Sequence, residues 1–472
     1  MAVFKAAFLA DIHYFSPTLG TKGRAYELRS GSDQKCLAES GAVFDAAAKR
    51  LCDSDVDCVC IAGDVTNDGE RASHDEMLAK LNALNEKKPV YVITSTHDWC
   101  SDGRARRYEG NETFWDVPSY SAEDLPGLYD HFGKDAELAR FTTSKGFASR
   151  VFRLSDDLRL IAVNDDCDGE GGKSGYSEAH LAWMKEQLRQ AKADGAYMIA
   201  MEHHLLLPGI GKLINGGQMI ANGEAVAAEL ADAGLRLMFV GHSHMMRTTE
   251  IVSPAGNKLT QVNLGSLTGY PAPILYLTVE GGKAELRTDF LDGFDYEGKH
   301  YGADFFKTHT ADVLYNLLNA AAADKEDLRE RLGADGIKIP KYDTLYPVIR
   351  KAAKKALTIK VGAAGRLLNT LTLGKGADKR DIKAVKDDLL LPHIIDDFLN
   401  VFDGSYLART QKEEVKRITV SVGHCASKVV DGLPIGKAKK EKIRRTTDQI
   451  GAIAQELMYP SGPDNKDCTV AL

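Results

Sequence analysis

Short apolar runs alternate with amphipathic stretches through the first half of the chain. The apolar runs are rich in β-branched and aromatic residues, which predicts buried strands at 3–10, 56–62, 89–95, 158–164, 196–202 and 235–241. Helical periodicity between them predicts helices at 36–51, 71–85, 178–193 and 222–233, and Ser177 is the expected N-cap of the third. This alternation indicates an α/β fold in which helices cover sheet faces.

The pattern changes twice further along the chain. From residue 247 it consists of strands and turns, which predicts an antiparallel end to the sheet, and beyond about residue 300 it becomes helical. The segment 99–146 interrupts the alternation and is predicted to be an insertion at the rim of a site. We therefore predict two parts, an α/β domain over 1–292 and a mostly α-helical accessory or cap region over 293–472 that ends in a loose tail.

Charge is distributed unevenly between these parts. The net charge is −7, and residues 1–290 hold 41 acidic against 30 basic residues. Excess carboxylates suit a cation-binding domain and make a poor surface for nucleic acid. No apolar run approaches the roughly 18 residues of a membrane span, and the start of the chain lacks the features of a signal peptide, so a cytoplasmic protein is expected. The eight cysteines form no CxxC pair, which predicts free thiols.

Polar residues of metal-ligand type recur where the predicted strands end. They are Asp11 and His13 after the first strand, Asp64 after the second, His97 and Asp98 after the third, His203 after the fifth, and His242 and His244 after the sixth. In open α/β sheets, ligands gather outside the carboxyl ends of the strands, so these side chains are predicted to share one crevice. Mixed imidazole and carboxylate donors favour Mn, Fe or Zn over Mg or Ca.

This ordered set resembles the calcineurin-like metallophosphoesterase family, in its bacterial branch. The family pattern runs DxH, GD, GNH with Asp or Glu, a lone His, and GHxH, and the chain supplies Asp11-Ile12-His13, Gly63-Asp64, Thr96-His97-Asp98, His203 and Gly241-His242-Ser243-His244. The stretches GDVTNDGE, LAWMKEQL and NLGSLTGYP are also similar to that branch. The resemblance covers about residues 3–290 and implies two packed β-sheets flanked by helices, a four-layer α/β/β/α sandwich.

The resemblance implies one or two metal ions and a ligand set for each. The first ion is bound by Asp11, His13 and His244, the second by His203 and His242, and Asp64 bridges the two. His203 is preferred to His204 because family members place this ligand two residues before a proline, a position that Leu205 takes here.

The resemblance also gives His97 and Thr96 their expected roles. His97 faces the substrate phosphate, and Asp98 holds its imidazole in the protonated form. Thr96 stands where the family has an Asn ligand of the second ion, and a hydroxyl is a poorer donor than an amide carbonyl. The second site is therefore expected to be weak, or to take its missing contact from a neighbouring residue.

The implied activity is hydrolysis of a small phosphate monoester or diester, with nucleotides among the candidates. Two ions about 3.5–4 Å apart lower the pKa of a bridging water, so a metal-bridged hydroxide attacks while the ions clamp the phosphoryl oxygens. The candidate substrate contacts are Arg104, Arg106, Tyr108 and Asn263. A nuclease of the same fold and a non-catalytic metal-binding scaffold or sensor stay open as alternatives, as does the oligomeric state.

Overall fold

Two β-sheets lie face to face in the computed structural model, which describes residues 3–334, 338–425, 430, 436–464 and 466–472. The first sheet has six strands, in the order β17 (Asp467–Ala471), β14 (Lys283–Phe290), β13 (Pro273–Glu280), β1 (Phe4–Leu9), β2 (Cys58–Ala62) and β3 (Val90–Ile93). Strands β1, β2 and β3 are parallel, and β13, β14 and β17 continue the sheet in antiparallel pairing.

The second sheet has seven strands with a parallel centre. Their order is β11 (Arg247–Val252), β12 (Lys258–Asn263), β10 (Leu237–Val240), β9 (Tyr197–Met201), β8 (Leu158–Ala162), β7 (Ala148–Arg153) and β6 (Glu137–Thr142). Strands β8, β9, β10 and β12 run parallel, whereas β6, β7 and β11 pair antiparallel with their neighbours. Two hairpins stand apart, β4 (Arg107–Glu109) with β5 (Glu112–Phe114), and β15 (Gly293–Tyr296) with β16 (Lys299–Gly302).

Helices flank both sheets and form most of the chain beyond β16. They are α1 (Arg24–Ser30), α2 (Ser40–Cys52), α3 (Arg71–Asn85), α4 (Leu125–Tyr129), α5 (Glu178–Ala193), α6 (Lys212–Asn215), α7 (Gly223–Ala233), α8 (Asp304–Ala323), α9 (Lys325–Ala334), α10 (Tyr342–Ala356), α11 (Val361–Leu371), α12 (Lys379–Ala384), α13 (Leu390–Phe402), α14 (Glu413–Gly423) and α15 (Lys437–Met458). Short 3-10 turns lie at Pro17–Leu19, Lys134–Ala136, Glu170–Gly172 and Leu407–Arg409. No helix in the described ranges is long and apolar enough to cross a membrane.

Alternation along the central strands divides the core into three layers. On β1, Phe8 faces the second sheet and stacks on Phe239 with ring centroids 3.8 Å apart, while Leu9 faces α2 and α3. Buried residues of α5 and α7, such as Leu188 and Leu230, pack on the outer face of the second sheet. The predicted α/β/β/α sandwich is confirmed.

The predicted elements of the first half are confirmed, with two corrections. The helix predicted at 178–193 has these bounds in α5, and the Ser177 hydroxyl accepts the His180 N–H at its start. Strand β7 was not predicted, and the insertion predicted at 99–146 is shorter because β6 belongs to the second sheet. Strand β6 lies at the sheet edge and carries Glu and Arg between its apolar residues, so its composition resembles that of a loop.

The loose tail predicted for the end of the chain is instead the edge strand β17. It pairs with β14, with Val470 opposite Ala284, and the N–H of Leu472 donates to Gly282 O at 2.9 Å. Val470 is buried between the sheets, while Thr469 is exposed. The strand is five residues long and forms only against a partner distant in sequence, so local pattern carried too little signal to predict it.

In sequence, the C-terminal helices follow β16, a strand of the second hairpin, and precede β17, a strand of the first sheet. They contact the loop after β10, where the N–H of Met246 donates to Phe402 O at 2.8 Å and Arg247 Nη2 donates to Asn400 O at 3.0 Å. Arg247 is buried, and its guanidinium also reaches the Ser405 hydroxyl at 3.2 Å. The end of α13 is thus hydrogen-bonded to the segment that follows the GHSH motif.

We predict that Val470→Ala lowers the free energy of unfolding by about 1.5–3 kcal/mol, because it removes two buried methyl groups and leaves a cavity. The measurement is urea unfolding of the purified chain. Thr469→Ala is the matched control, since its side chain leaves the same strand towards solvent, and it should change the free energy by less than about 0.5 kcal/mol. Equal effects of the two substitutions would contradict docking of β17 on the core.

Candidate metal centre

The loops after β1, β2 and β10 contain residues with left-handed backbone conformation. They are Asp11 at φ 52°, His13 at 46°, Asp64 at 49°, His242 at 66° and His244 at 55°. A residue other than glycine in this region costs of order 1–3 kcal/mol, and such residues cluster at functional sites. All five are predicted metal ligands, so the strand packing holds these loops in a conformation that local sequence preference disfavours.

Asp11, His13 and His244 converge as the first group of donors. His244 Nε2 lies 3.3 Å from Asp11 Oδ1 and 3.0 Å from His13 Nε2. His13 is fully buried, and burial, followed by the charge of Lys35, lowers its pKa well below the usual range. The imidazole is therefore neutral at physiological pH, which is the form that binds metal.

Asp64 lies between this group and a second one formed with His203 and His242. One carboxylate oxygen, Asp64 Oδ2, is 3.7 Å from His13 Nε2 and 3.0 Å from His203 Nε2. The donor atoms of Asp64, His203 and His242 all lie within 4.8 Å of one another. Burial alone would raise the pKa of Asp64, but His203 and His97 lower it well below its usual range, so the carboxylate is ionised.

The tautomer of His203 makes the contact with Asp64 unusual. Its Nδ1–H donates to the Ala62 carbonyl at 2.7 Å, which leaves Nε2 without a proton in the neutral ring. This Nε2 is buried and has no hydrogen-bond partner of suitable geometry, although a carboxylate oxygen lies 3.0 Å away. Two bare acceptors at that distance repel unless a cation or a proton lies between them, and the donor set therefore fits a metal ion.

His244 is oriented by Gln34, a residue that the sequence did not single out. The amide nitrogen of Gln34 lies 2.5 Å from His244 Nδ1, and its amide oxygen is buried without a partner. With the amide turned the other way, its oxygen accepts the Nδ1–H. That arrangement leaves His244 Nε2 free to bind an ion.

His97 lies beside the first group and is held by residues after β2. Its ring centroid is 4.7 Å from that of His13, its backbone N–H donates to Asp64 Oδ1 at 3.3 Å, and its Nδ1 contacts the Asn67 carbonyl and lies 3.2 Å from Asp68 Oδ1. Burial would lower the pKa of His97, but the carboxylates of Asp64 and Asp68 raise it to about 9.

The carboxylate that contacts His97 is therefore Asp68, and the role predicted for Asp98 requires correction. The Asp98 side chain accepts the Thr66 N–H at 2.8 Å, the Thr66 hydroxyl at 3.0 Å and the Ser95 N–H at 2.9 Å. It joins the loops after β2 and β3, and none of these three hydrogen bonds involves the imidazole next to it in sequence. Adjacent residues in a tight loop point in different directions, which spacing alone could not reveal.

The predicted substrate contacts lie in different surroundings. Arg104 is exposed and pairs with Asp102 at 3.3 Å, whereas Arg106 is buried 3.7 Å from Asp68 Oδ2. Tyr108 is buried, and its ring packs with those of Phe15 and Tyr26.

Asn263 is also buried, behind the GHSH loop. Its amide nitrogen lies 3.5 Å from the Ser243 hydroxyl, and its oxygen accepts from Gln261 at 2.7 Å. Of the four predicted contacts, Arg106 has a link to the His97 side chain, through Asp68, and Asn263 supports the loop that carries His242 and His244.

Besides Gln34 and Asp68, two further features of the centre were missed by the sequence analysis. Lys35 is buried beside Asp33, at 3.5 Å, and its charge lowers the pKa of His13, which places a cation near the donors. Asp165, Asp166 and His204 form a further group of donors whose atoms lie within 4.8 Å of one another. The strand-end rule could have found this group, because the two aspartates follow the predicted strand 158–164.

The solved structures that are similar to this chain include the following three. They are a dimetal phosphatase from Danio rerio (14% identity, 61% of this chain and 96% of that chain, TM-score 0.42), a predicted phosphoesterase from Streptococcus pneumoniae (13%, 64% and 99%, 0.24) and a 5′-nucleotidase from Candida albicans (11%, 76% and 60%, 0.32). No curated protein matches the chain at a significant level.

The sequence also matches a family model, described as calcineurin-like phosphoesterase, over residues 4–246. The match spans just over half of the 472 residues and includes every predicted ligand position from Asp11 to His244. The resemblance inferred from the motifs is confirmed, and the chain belongs to the calcineurin-like phosphoesterase family, whose members are metal-dependent hydrolases of phosphate esters.

Proposed function

We propose that this centre binds two metal ions and hydrolyses small phosphate esters, either monoesters or diesters. One observation carries the proposal: the Nε2 atoms of His13 and His203 approach the same oxygen of Asp64, at 3.7 and 3.0 Å, from two different groups of donors. A carboxylate shared in this way is suited to bridge two ions. The remaining ligands are Asp11 and His244 on one side and His242 on the other.

The donor chemistry supports Mn, Fe or Zn as the resident metal, since imidazoles and carboxylates contribute together. Bound ions of this kind withdraw charge from phosphoryl oxygens and lower the pKa of an attacking water. The chain contributes the orientation of the ligands. Ala62 O fixes the ring of His203, and Gln34 fixes the ring of His244, so that each presents Nε2 to the centre.

His97 is the proposed general acid. Its Nδ1–H is held by the Asn67 carbonyl and by Asp68, which leaves the Nε2–H of the imidazolium available to protonate the leaving oxygen of an ester. The Asp68 carboxylate stabilises this cation whether or not the charge of Asp64 is neutralised by bound ions. Burial would raise the pKa of Asp68, but the contact with His97 and then the charges of Lys35 and Arg106 lower it, so the carboxylate is ionised. The Arg106 guanidinium lies 3.7 Å from its other oxygen.

A small substrate fits the charge of the chain better than nucleic acid does. The N-terminal 290 residues are acidic overall, and phosphodiester polymers bind mainly through basic surfaces. Lys35 and the partly exposed His97 are the cationic groups at the centre that could meet a phosphate, and nucleotides are among the candidate substrates. The eight free cysteines support a reducing compartment and hence the cytoplasmic location proposed for the protein.

A screen of aryl phosphate monoesters and bis-aryl phosphate diesters, with cyclic and linear nucleotides alongside, tests the proposal. The chain is first stripped of metal and then supplied with Mn²⁺, Zn²⁺ or Fe²⁺. We expect hydrolysis that is lost on chelation and restored by metal. Retention of metal without turnover of any ester would favour a scaffold or sensor, and salt-sensitive cleavage of DNA or RNA alone would favour a nuclease.

We predict that His97→Ala lowers kcat on an aryl phosphate ester by about 10²–10⁴-fold, because it removes the proton donor. The metal content of the variant, measured by mass spectrometry of the purified protein, should equal that of the wild type. His300→Ala is the control, since His300 is an exposed histidine of β16, and its kcat should be unchanged. Near-normal turnover in His97→Ala with metal retained would remove this residue from the mechanism.

We predict that Thr96→Asn tightens one metal site and leaves the others unchanged. The amide oxygen of the new Asn restores a direct metal ligand. Since residues that only hydrogen-bond to metal ligands already change metal affinity by about 10–100-fold, we expect a gain of at least roughly tenfold. Isothermal titration of the metal-free chain with Mn²⁺ gives the separate affinities. Thr446→Asn, on an exposed position of α15, should reproduce the wild-type titration, and an unchanged titration of Thr96→Asn would contradict the weak-site hypothesis.

A further inference from the structure

A second cluster of ligand-type side chains adjoins the centre on the side of His242. It consists of Asp165 and Asp166, which follow β8, and His204, which follows β9. The ring of His204 lies 4.6 Å from that of His242, between centroids. None of the three residues belongs to the ligand set of the family motif, which takes His203 from the adjacent position.

The spacing of the donor atoms matches that of ligands around one ion. His204 Nδ1 is 3.0 Å from Asp165 Oδ1 and 3.9 Å from Asp166 Oδ1. Two ligands bound at about 2.1 Å to one ion lie about 3.0–3.4 Å apart in octahedral or tetrahedral geometry. The separation of His204 Nδ1 from Asp165 Oδ1 falls in this range, and the donor atoms of all three residues lie within 4.8 Å of one another.

The charge around this cluster is unbalanced. In the described ranges, His204 is the one side chain that forms an ion pair with Asp165 or Asp166, and both carboxylates are about 99% buried. Two buried carboxylates paired with one imidazole require a proton or a further cation, because uncompensated buried charge is costly.

An unsatisfied atom points to a ligand as well. Asp165 Oδ2 is buried and lacks a hydrogen-bond partner among the described residues. Buried polar atoms are nearly always paired, so an unpaired carboxylate oxygen in a group of ligand-type side chains is exceptional. The two oxygens of Asp166, by contrast, are held by the Ser95 hydroxyl at 3.4 Å and by Trp99 Nε1 at 3.0 Å, which fixes this carboxylate beside the loop that carries Thr96.

We propose that Asp165, Asp166 and His204 bind a third divalent cation, next to the two-ion centre. One imidazole with two carboxylates suits an ion of the Mn²⁺ or Zn²⁺ class. Trp99 and Ser95 orient the Asp166 carboxylate. The site borders the position where the chain has lost the family's Asn ligand, so a cation here adds positive charge at the end of the centre that Thr96 weakens. The third cation site does not depend on the proposed hydrolysis.

The test measures the number and position of bound ions in the 472-residue chain. After removal of metal and equilibrium dialysis against Mn²⁺, we expect three ions per wild-type chain at saturation, and two in the double variant Asp165→Asn, Asp166→Asn. Glu170→Gln is the matched control, because Glu170 is an exposed carboxylate of the same loop, and it should retain three ions. Circular dichroism of each variant checks that it folds.

A crystal of the wild-type protein grown with Mn²⁺ keeps the proposal testable where a variant does not fold. We expect an anomalous difference peak within about 2.0–2.3 Å of His204 Nδ1 and of an Asp165 oxygen. Saturation of the wild type at two ions with no peak at His204, or a double variant that keeps the wild-type number of ions, would overturn the third site. Ester hydrolysis in that outcome would leave the proposed function standing, whereas three ions without hydrolysis would remove the function and keep the site.

Discussion

The ionised carboxylate of Asp64, buried where the two sheets meet, is the constraint on which the rest of the centre depends. Its charge must be compensated, and it is approached by the rings of His13 and His203 and by the backbone N–H of His97. The loops that carry Asp64 and the ligands around it have left-handed turns directly after β1, β2 and β10. Such turns are costly in isolation, and the packing of the strands that precede them supplies the free energy that maintains them.

Much of this arrangement could be predicted because it depends on local sequence. Buried parallel strands are recognised as apolar runs and helices by their periodicity. Metal ligands are recognised by their position at strand ends. The predictions failed where a residue's surroundings come from distant parts of the chain. Asp98 follows His97 in sequence, yet the carboxylate that contacts the imidazole belongs to Asp68, which lies 29 positions before His97 on another loop. The spacing of residues along the sequence does not reveal the direction in which a loop side chain points.

The same limit explains the cluster beside His242. Asp165 and Asp166 obey the strand-end rule as well as Asp11 does, but no familiar motif marks them, and their convergence with His204 depends on the parallel pairing of β8 with β9. The helical region shows the limit more fully. Its helices were predictable as helices, whereas the hydrogen bond from Met246 to Phe402, which joins them to the loop after the GHSH motif, depends on tertiary packing alone.

The position of β17 has a consequence for synthesis on the ribosome. The first sheet receives its sixth strand only after all the helices from α8 to α15 have been made, and at about 5–20 residues per second this delay is of the order of ten seconds or more. During that time β14 is an open edge in the nascent chain. Its solvent-facing side chains Lys283, Glu285 and Arg287 alternate with buried ones, and such charges discourage pairing with another chain. These charged side chains thus disfavour aggregation through the edge of β14 until β17 pairs with it.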